Sequence, residues 1–292
     1  MKVLVLGGTR FFGKRLVARA LAAGWDVTVA TRGKYAMNLP RNVKHISVDR
    51  FNRQSMETAF ANKTYDIVYD QLCYSPDDAR LSCDVFRHKT GRYVLTSSAA
   101  VYDTQMLPIK ESQFDPYRLP VRYGSRHDFT YADGKRHAEA VFFQQATFPV
   151  VAVRLPIVIA EDDYTGRFRF HVDRIRRGEP IGIPGKPAKM SFVSADEAGT
   201  FLYWVGTSDL HGPVNAASHT PLTALEITNM IAEEIGKEAV ITTDEREGVR
   251  SPYFISQNWT LNLVHAYRYG YTFTKSKEWL PAVIWKVFRA TT

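Results

Sequence analysis

The sequence predicts an α/β protein built on a doubly wound parallel sheet, with a smaller lobe in its C-terminal half. Three observations carry that expectation. Strand and helix patterns alternate regularly as far as Ala160, and strand–helix–strand repetition gives a parallel sheet covered on both faces. A glycine-rich turn, Gly7-Gly8-Thr9-Arg10-Phe11-Phe12-Gly13, separates the first strand pattern from the first helix pattern. Beyond Ala160 the rhythm gives way to a basic stretch, a Gly-Pro-rich turn and an aromatic tail.

Taken in order, Lys2–Leu6 is a β-branched and leucine run that stops at glycine. Residues 13–23 read as a helix, with Leu16, Val17, Ala20 and Leu21 on one face and Gly24 ending it. Further strands are expected at Asp26–Thr31, 43–48, 66–69, 92–97 and 150–159, with helices at 54–62, 77–89 and 131–146. Right-handed crossovers between such strands wind the sheet in both directions. Past Ala160, a basic helix is expected at 166–177, a turn at 182–187, a short strand at 191–193 and a helix at 195–205. Thr220-Pro221 is expected to open another helix through Ile235, since Thr caps and Pro suits the first helical position. The remaining tail reads as irregular. The domain expectation is a sheet domain over 1–160 and a lobe over 161–292, with segments near 191–206 returning to the sheet domain.

Composition narrows the function classes. The chain has 292 residues, 45% apolar and 23% charged, an ordinary globular balance that excludes wholesale disorder. Cys73 and Cys83 are the only cysteines, and neither lies near a His pair, so no metal site is expected. Sparse cysteine fits a reducing compartment. The apolar run after Met1-Lys2 is too short for a signal core, and no stretch has the length of a membrane span. A soluble, cytoplasmic monomer or homodimer without a membrane partner is expected. The net charge of +8 favours solubility and attracts phosphorylated ligands or nucleic acid. Part of the excess sits in Arg167, Arg169, Arg174, Arg176 and Arg177.

A glycine turn between strand and helix lets the backbone bend sharply and brings helix N–H groups to a pyrophosphate. In that context the pattern is a strong sign of dinucleotide binding; alone it is weak. The segment VLGGTRFFGKRLV resembles the Gly-x-x-Gly-x-x-Gly turn of the extended short-chain dehydrogenases/reductases, the sugar epimerase/dehydratase family. Gly7 and Gly13 match the outer glycines, while Arg10 replaces the middle one. The resemblance implies a Rossmann-type fold and a nicotinamide cofactor held by Gly7, Gly8, Thr9, Arg10, Phe11, Phe12 and Gly13. NAD-binding members generally place Asp at the end of the second strand; here stand Thr31-Arg32, with Lys34 close behind. A carboxylate repels a 2′-phosphate whereas a guanidinium pairs with it, so NADP is expected, with NAD the alternative. The resemblance places Asp49 at the adenine, Gln71 and Leu72 at the ribose, and Ser97 and Leu155 elsewhere along the cofactor.

Tyr131-Ala-Asp-Gly-Lys135 sets a phenol and an ammonium on one helical face. A nearby ammonium favours tyrosinate, which suits proton exchange with a substrate hydroxyl or carbonyl. With 15 Tyr in the chain, about one such spacing arises by chance, and Tyr271-Thr-Phe-Thr-Lys275 is a second. Position favours Tyr131, which opens the helix between the fifth and sixth strands, where the family keeps its catalytic pair. Leu95-Thr-Ser-Ser-Ala-Ala-Val-Tyr102 resembles the family's Ser-Ser-x-x-Val-Tyr segment and implies Ser98 as the catalytic hydroxyl. Sugar-nucleotide dehydratases carry Asp-Glu where this chain has Ala99-Ala100, so dehydration is not expected.

The substrate half departs further from the family. Arg154-Leu-Pro-Ile157 ends in Ile where a diphosphate-contacting Asn is common, and Met190 falls near a frequent Arg. Lys186, Lys189 and the arginine-rich helix are the substitutes within reach. The expected function is an NAD(P)-dependent epimerase or reductase acting on a hydroxyl/carbonyl substrate, a nucleotide sugar among the candidates. Two alternatives stand beside it. The GGTRFFG turn also resembles that of the chloroplast stem-loop-binding proteins, which implies an RNA partner. A regulator that senses NADP without turnover is the other.

Overall fold

Strand β1, Lys2–Leu6, is apolar after its first residue, with Val3 and Val5 on one face and Leu4 and Leu6 on the other, all fully buried. A strand buried on both faces needs cover on both. In the computed structural model, which describes residues 1–33, 39–103 and 106–290, that cover is helical on each side. Lys34 lies outside the described residues.

Helix α1, Phe11–Ala22, follows the glycine turn, and β2, Asp26–Thr31, pairs with β1 in parallel. The chain continues through β3 (Lys44–Ser47), α2 (Arg53–Phe60), β4 (Tyr65–Asp70), α3 (Pro76–Val85) and β5 (Thr90–Ser98). Helix α4, Tyr131–Gln145, leads to β6, Val150–Leu155. After β7 (Ile157–Ile159), α5 (Arg167–Arg177) and β8 (Ile181–Gly182) come β9 (Phe192–Ser194), α6 (Ala195–Thr207) and β10 (Gly212–Asn215). The last elements are α7 (Ala224–Ile235), β11 (Ile241–Thr242), α8 (Val264–Arg268) and α9 (Ser276–Arg289).

The central sheet has seven strands in the order β10-β6-β5-β4-β1-β2-β3, and every pairing is parallel. The order reverses at β1, which pairs with β2 on one side and β4 on the other. Ligands of such sheets bind beyond the strand ends at that reversal. On one face Val3, Val5, Leu16, Val17 and Ala20 join Ala198, Phe201 and Val205, so α1 and α6 lie together. On the other face Leu4 and Leu6 pack with Met56, Phe60, Phe86, Val141 and Phe142. A third cluster, with Phe168, Val172, Ile227, Ile231, Leu280 and Ile284, gathers α5, α7 and α9. The expected fold class is therefore the observed one. No described helix is long and apolar enough to cross a membrane.

Four local expectations are corrected. Residues 150–159 form two strands, because Pro156 has no N–H to donate; β7 leaves the central sheet and pairs with β9 instead. The seventh strand, β10, comes from residues not expected to be a strand. Helix α7 starts three residues late: Thr223 accepts from the Glu226 N–H at 3.0 Å while Glu226 accepts from the Thr223 N–H at 2.7 Å. Thr220-Pro221 precede a bridge between Leu222 and Met190. The tail is not irregular, because α9 buries Leu280, Val283, Ile284 and Val287 at helical spacing despite Pro281 within it.

Candidate active site

The ends of β1, β2, β3, β4 and β5 open onto one cavity of about 990 Å³. Its lining takes in Gly7, Gly8, Thr9, Arg10, Phe11 and Phe12, and, from the following strands, Thr31, Arg32, Asp49, Gln71 and Leu72. Ser97, Ser98, Tyr131, Lys135 and Leu155 complete the set of expected site residues that line it. Gly13 sits just behind the wall. A Cβ there would lie 2.2 Å from Gln71 Oε1 and 2.8 Å from Gly8 Cα, so only glycine lets α1 approach the turn this closely. Tyr271 is not on the lining; it packs among Phe201, Trp204 and Phe273, and burial pushes its phenol pKa up.

The turn suits an anion. Arg10, the residue before α1, makes no side-chain cap hydrogen bond, and a helix N-terminus offers its first N–H groups to an anion. Phe11 sits at φ +51°, a left-handed conformation uncommon outside glycine, at the point where the chain turns into the helix. At the end of β2 the Thr31 hydroxyl accepts from the Gly33 N–H at 3.2 Å and shares a 2.9 Å hydrogen bond with His45. Arg32 follows, exposed on the cavity's edge. Asp49 Oδ1 accepts from the Phe51 N–H at 3.0 Å, which fixes the loop after β3.

Beside Asp49, Arg50 is a lining residue that sequence reasoning missed. It is almost fully buried, and its Nη2 donates to Asp70 Oδ2 at 2.6 Å, the Asp78 carbonyl at 3.0 Å and Ser82 Oγ at 2.9 Å. Burial opposes its charge, but Asp70 and neighbouring groups outweigh this and hold its pKa above the usual value. Asp70 Oδ1 in turn accepts from the Leu72 N–H at 2.9 Å, so the buried pair shapes the loop that carries Gln71 and Leu72. Gln71 Nε2, Thr96 Oγ1 and Arg50 Nε and Nη1 are buried with no hydrogen-bond partner. These four, of the nine such buried side-chain atoms among the described residues, belong to lining residues and fit a polar ligand there.

Helix α4 begins at Tyr131 because the Thr130 hydroxyl caps it, accepting from the Asp133 N–H at 3.1 Å. Tyr131 is therefore in the first turn and half exposed at the cavity mouth. One turn on, Lys135 is 2% exposed, and its ammonium donates to the Cys73 carbonyl at 2.6 Å and the Thr96 carbonyl at 2.8 Å. Those two bonds leave one of its three donors. Its Nζ stands 4.9 Å from the Tyr74 ring centre and 5.9 Å from that of Tyr131. Gly134 makes this possible: a Cβ there would come within 2.4 Å of the Tyr74 carbonyl oxygen. Burial raises the phenol of Tyr74 and the thiol of Cys73, so both stay protonated beside the lysine.

Ser98 Oγ accepts from the Ala100 N–H at 3.2 Å. The Ser97 hydroxyl is turned inward and donates to Glu139. Glu139 is fully buried and paired with Arg154, whose Nη2 lies 2.6 Å from Glu139 Oε2. Arg154 also donates to the Tyr102 hydroxyl at 3.0 Å and to the Glu111 and Phe114 carbonyls. This network ties α4 to β6 beneath the Ser98 segment.

The far end of the cavity is lined by Ala99, Ala100, Ile157, Met190, Ser191 and Trp259. Of the basic residues offered as substitutes for a phosphate contact, Arg167 lines the cavity, whereas Lys186, Lys189 and the other arginines of α5 do not. Arg174 donates to the Pro180 and Gly248 carbonyls, and Arg177 pairs with Glu179 at 2.8 Å. Arg126, Tyr164 and Trp259 are lining residues with no local signature, brought in by long connections. Among the described residues no cluster of His, Cys, Asp and Glu is arranged to hold a metal.

Residues 3–82 match the NAD dependent epimerase/dehydratase family. The chain is 26% identical over 222 residues to the chloroplast stem-loop binding protein of 41 kDa b of Arabidopsis thaliana, an alignment spanning 70% of this chain and 55% of that protein. The chain thus spans about half the length of that curated relative. Among solved structures, UDP-glucose 4-epimerase from Thermotoga maritima, with UDP-glucose, superposes with a TM-score of 0.77 at 18% identity, covering 100% of this chain and 99% of that one. UDP-glucose 4-epimerase of Thermus thermophilus, in complex with NAD, gives 0.74 at 20% identity with 100% of both chains covered. UDP-N-acetylglucosamine 4-epimerase from Methanobrevibacter ruminantium, in complex with UDP-N-acetylmuramic acid, gives 0.77 at 20% identity, covering 100% and 99%. The N-terminal segment thus matches the NAD dependent epimerase/dehydratase family model over residues 3–82, and the whole chain shares the fold of these solved epimerases.

Proposed function

We propose that the protein is a nicotinamide-dinucleotide-dependent epimerase or oxidoreductase acting at a hydroxyl-bearing or carbonyl carbon of a small molecule of the sugar class. The observation that carries this reading is the convergence of the glycine turn with Ser98, Tyr131 and Lys135 on one cavity. The nicotinamide supplies hydride acceptance and return when bound. The residues of the chain do the rest. Tyr131 exchanges the proton of the reacting oxygen. Lys135, anchored by two carbonyls, keeps a third N–H for a cofactor hydroxyl beside Tyr131. The Ser98 hydroxyl polarises the same oxygen. Among the described residues Asp49 is the only carboxylate on the lining, at the adenine end, which leaves no acid–base pair for removing water and favours epimerisation or reduction over dehydration. Incubation with nucleotide sugars and simple sugar carbonyls, followed by product chromatography, tests the reading. Conversion that needs added or bound dinucleotide supports it, and conversion in dinucleotide-free protein contradicts it.

NADP is the cofactor we assign, although the Thermus relative is NAD-bound. Support comes from the end of β2, where Thr31 engages Gly33 and His45 and Arg32 borders the cavity. Arg32→Ala is expected to weaken NADP binding about ten- to a hundredfold, the value of a charge-assisted hydrogen bond of roughly 1.5–3 kcal/mol, and to leave NAD binding nearly unchanged. Calorimetric titration of both dinucleotides checks this. Equal affinities in the unaltered protein would reject the preference.

The stem-loop-binding relative supports RNA as a second reading. The arginine-rich helix does not add to it, because Arg174 and Arg177 are engaged with the protein's own carbonyls and Glu179.

A further inference from the structure

Directly after β7 the chain reads Ala160-Glu-Asp-Asp-Tyr-Thr-Gly166, three carboxylates and an aromatic ring in one short connection. Helix α1 answers with Lys14-Arg15. Arg15 is 9% exposed and serves four groups at once. Its Nε donates to Asp196 at 2.9 Å, its Nη2 to Glu161 at 2.9 Å, and its Nη1 to Asp162 at 2.9 Å and the Phe11 carbonyl at 3.1 Å. Lys14 reaches the other oxygen of Asp162 at 2.6 Å. Asp163 faces elsewhere and accepts from the Thr165 hydroxyl and N–H, which turns the chain into α5.

Tyr164 is carried by this fastening onto the dinucleotide turn. Its ring lies 6.0 Å from that of Phe11, edge on, and the Arg10 guanidinium stands 4.6 Å from its centre. Tyr164 is 64% exposed on its outer side yet lines the same cavity as the glycine turn. An isolated surface ion pair holds little. Here the guanidinium is nearly buried and shared among three carboxylates, and Asp162 keeps its charge: burial works against it, but Lys14 and Arg15 hold its pKa below the ordinary carboxylate value.

We propose that residues 161–165 form a strap over the pyrophosphate of the bound dinucleotide, with Tyr164 as its cover and the Arg15 carboxylate network as its fastening. The inference rests on the dinucleotide reading above. A dinucleotide under the strap leaves only when the strap lifts, and lifting it breaks ion pairs. Dissociation is therefore accelerated by salt, whereas a rigid open cleft releases its ligand with little dependence on these residues.

Stopped-flow displacement of NADPH by excess NADP, followed by reduced-nicotinamide fluorescence, measures the dissociation rate directly. Tyr164→Ala and Asp162→Asn are each expected to raise that rate about tenfold or more. Asp162→Asn is also expected to flatten its salt dependence. Tyr164→Ala is a surface change, so its melting temperature should stay within about 2 °C of the parent, which separates a cover from a structural prop. Unchanged dissociation in both variants overturns the strap while leaving dinucleotide binding intact. Failure of the parent protein to bind NADPH or NADH at all rejects the dinucleotide reading, and the strap with it.

Discussion

Replacement of Tyr131 by Phe is expected to lower turnover by about two to four orders of magnitude, the range that a positioned general acid–base supplies. The ring is retained and Tyr131 is half exposed, so folding and dinucleotide binding should survive. Lys135→Met should be at least as harmful to turnover. It also strips the Cys73 and Thr96 carbonyls of their donor, so its melting temperature must be read beside its rate. Combining Ser98→Ala with Tyr131→Phe should cost much less than the sum, as groups serving one step are not additive. Tyr271→Phe is the control: its phenol lies in the Phe201–Phe273 aromatic cluster, away from the cavity. Full turnover in Tyr131→Phe with loss in Tyr271→Phe would move the active site to the tail.

The second large effect is on stability. Glu139 and Arg154 are both fully buried, joined by a short ion pair and by hydrogen bonds to Ser97, Tyr102 and two carbonyls. Removing one partner leaves a buried charge uncompensated, which costs roughly 3–5 kcal/mol. Glu139→Ala should therefore lower the melting temperature by roughly 10 °C in a chain of this size. Replacing both partners together with apolar residues should recover part of the loss, because no orphan charge remains. Scanning calorimetry on the single and double variants decides it. A single variant within about 1 °C of the parent would mean that water relieves the exposed partner.

How much could be read beforehand followed from how local each signal was. The all-apolar β1, the Gly7-Gly8 turn and the Tyr131–Lys135 spacing each state their structure within a few residues, and all of them occupy the places the pattern implied. Start and stop points competed more closely. Thr220-Pro221 and Thr223 both offer a cap, and Glu226, three residues after Thr223, decided for the second. Pro156 lies within an apolar run and splits it, and the aromatic richness of the tail masks α9, although Leu280, Ile284 and Val287 recur there at helical spacing. Arg50, Arg126, Tyr164 and Trp259 gave no signal because their position depends on loops folded back from distant parts of the chain. Arg15 carries no local signal on α1; the three carboxylates that surround it lie about 150–180 residues away in sequence.

The cavity at the β1 turn holds a nicotinamide dinucleotide if the mechanism is right, and calorimetric titration of the parent protein beside Gly13→Val puts this claim to the test. The parent is predicted to bind NADP or NAD at one site per chain. Gly13→Val is predicted to lose that binding by a hundredfold or more, about 3 kcal/mol, because a side chain there would collide with Gln71 Oε1 and Gly8 Cα while the far face of the sheet stays untouched. A parent protein that binds neither dinucleotide, or a folded Gly13→Val that binds as tightly as the parent, would contradict the claim.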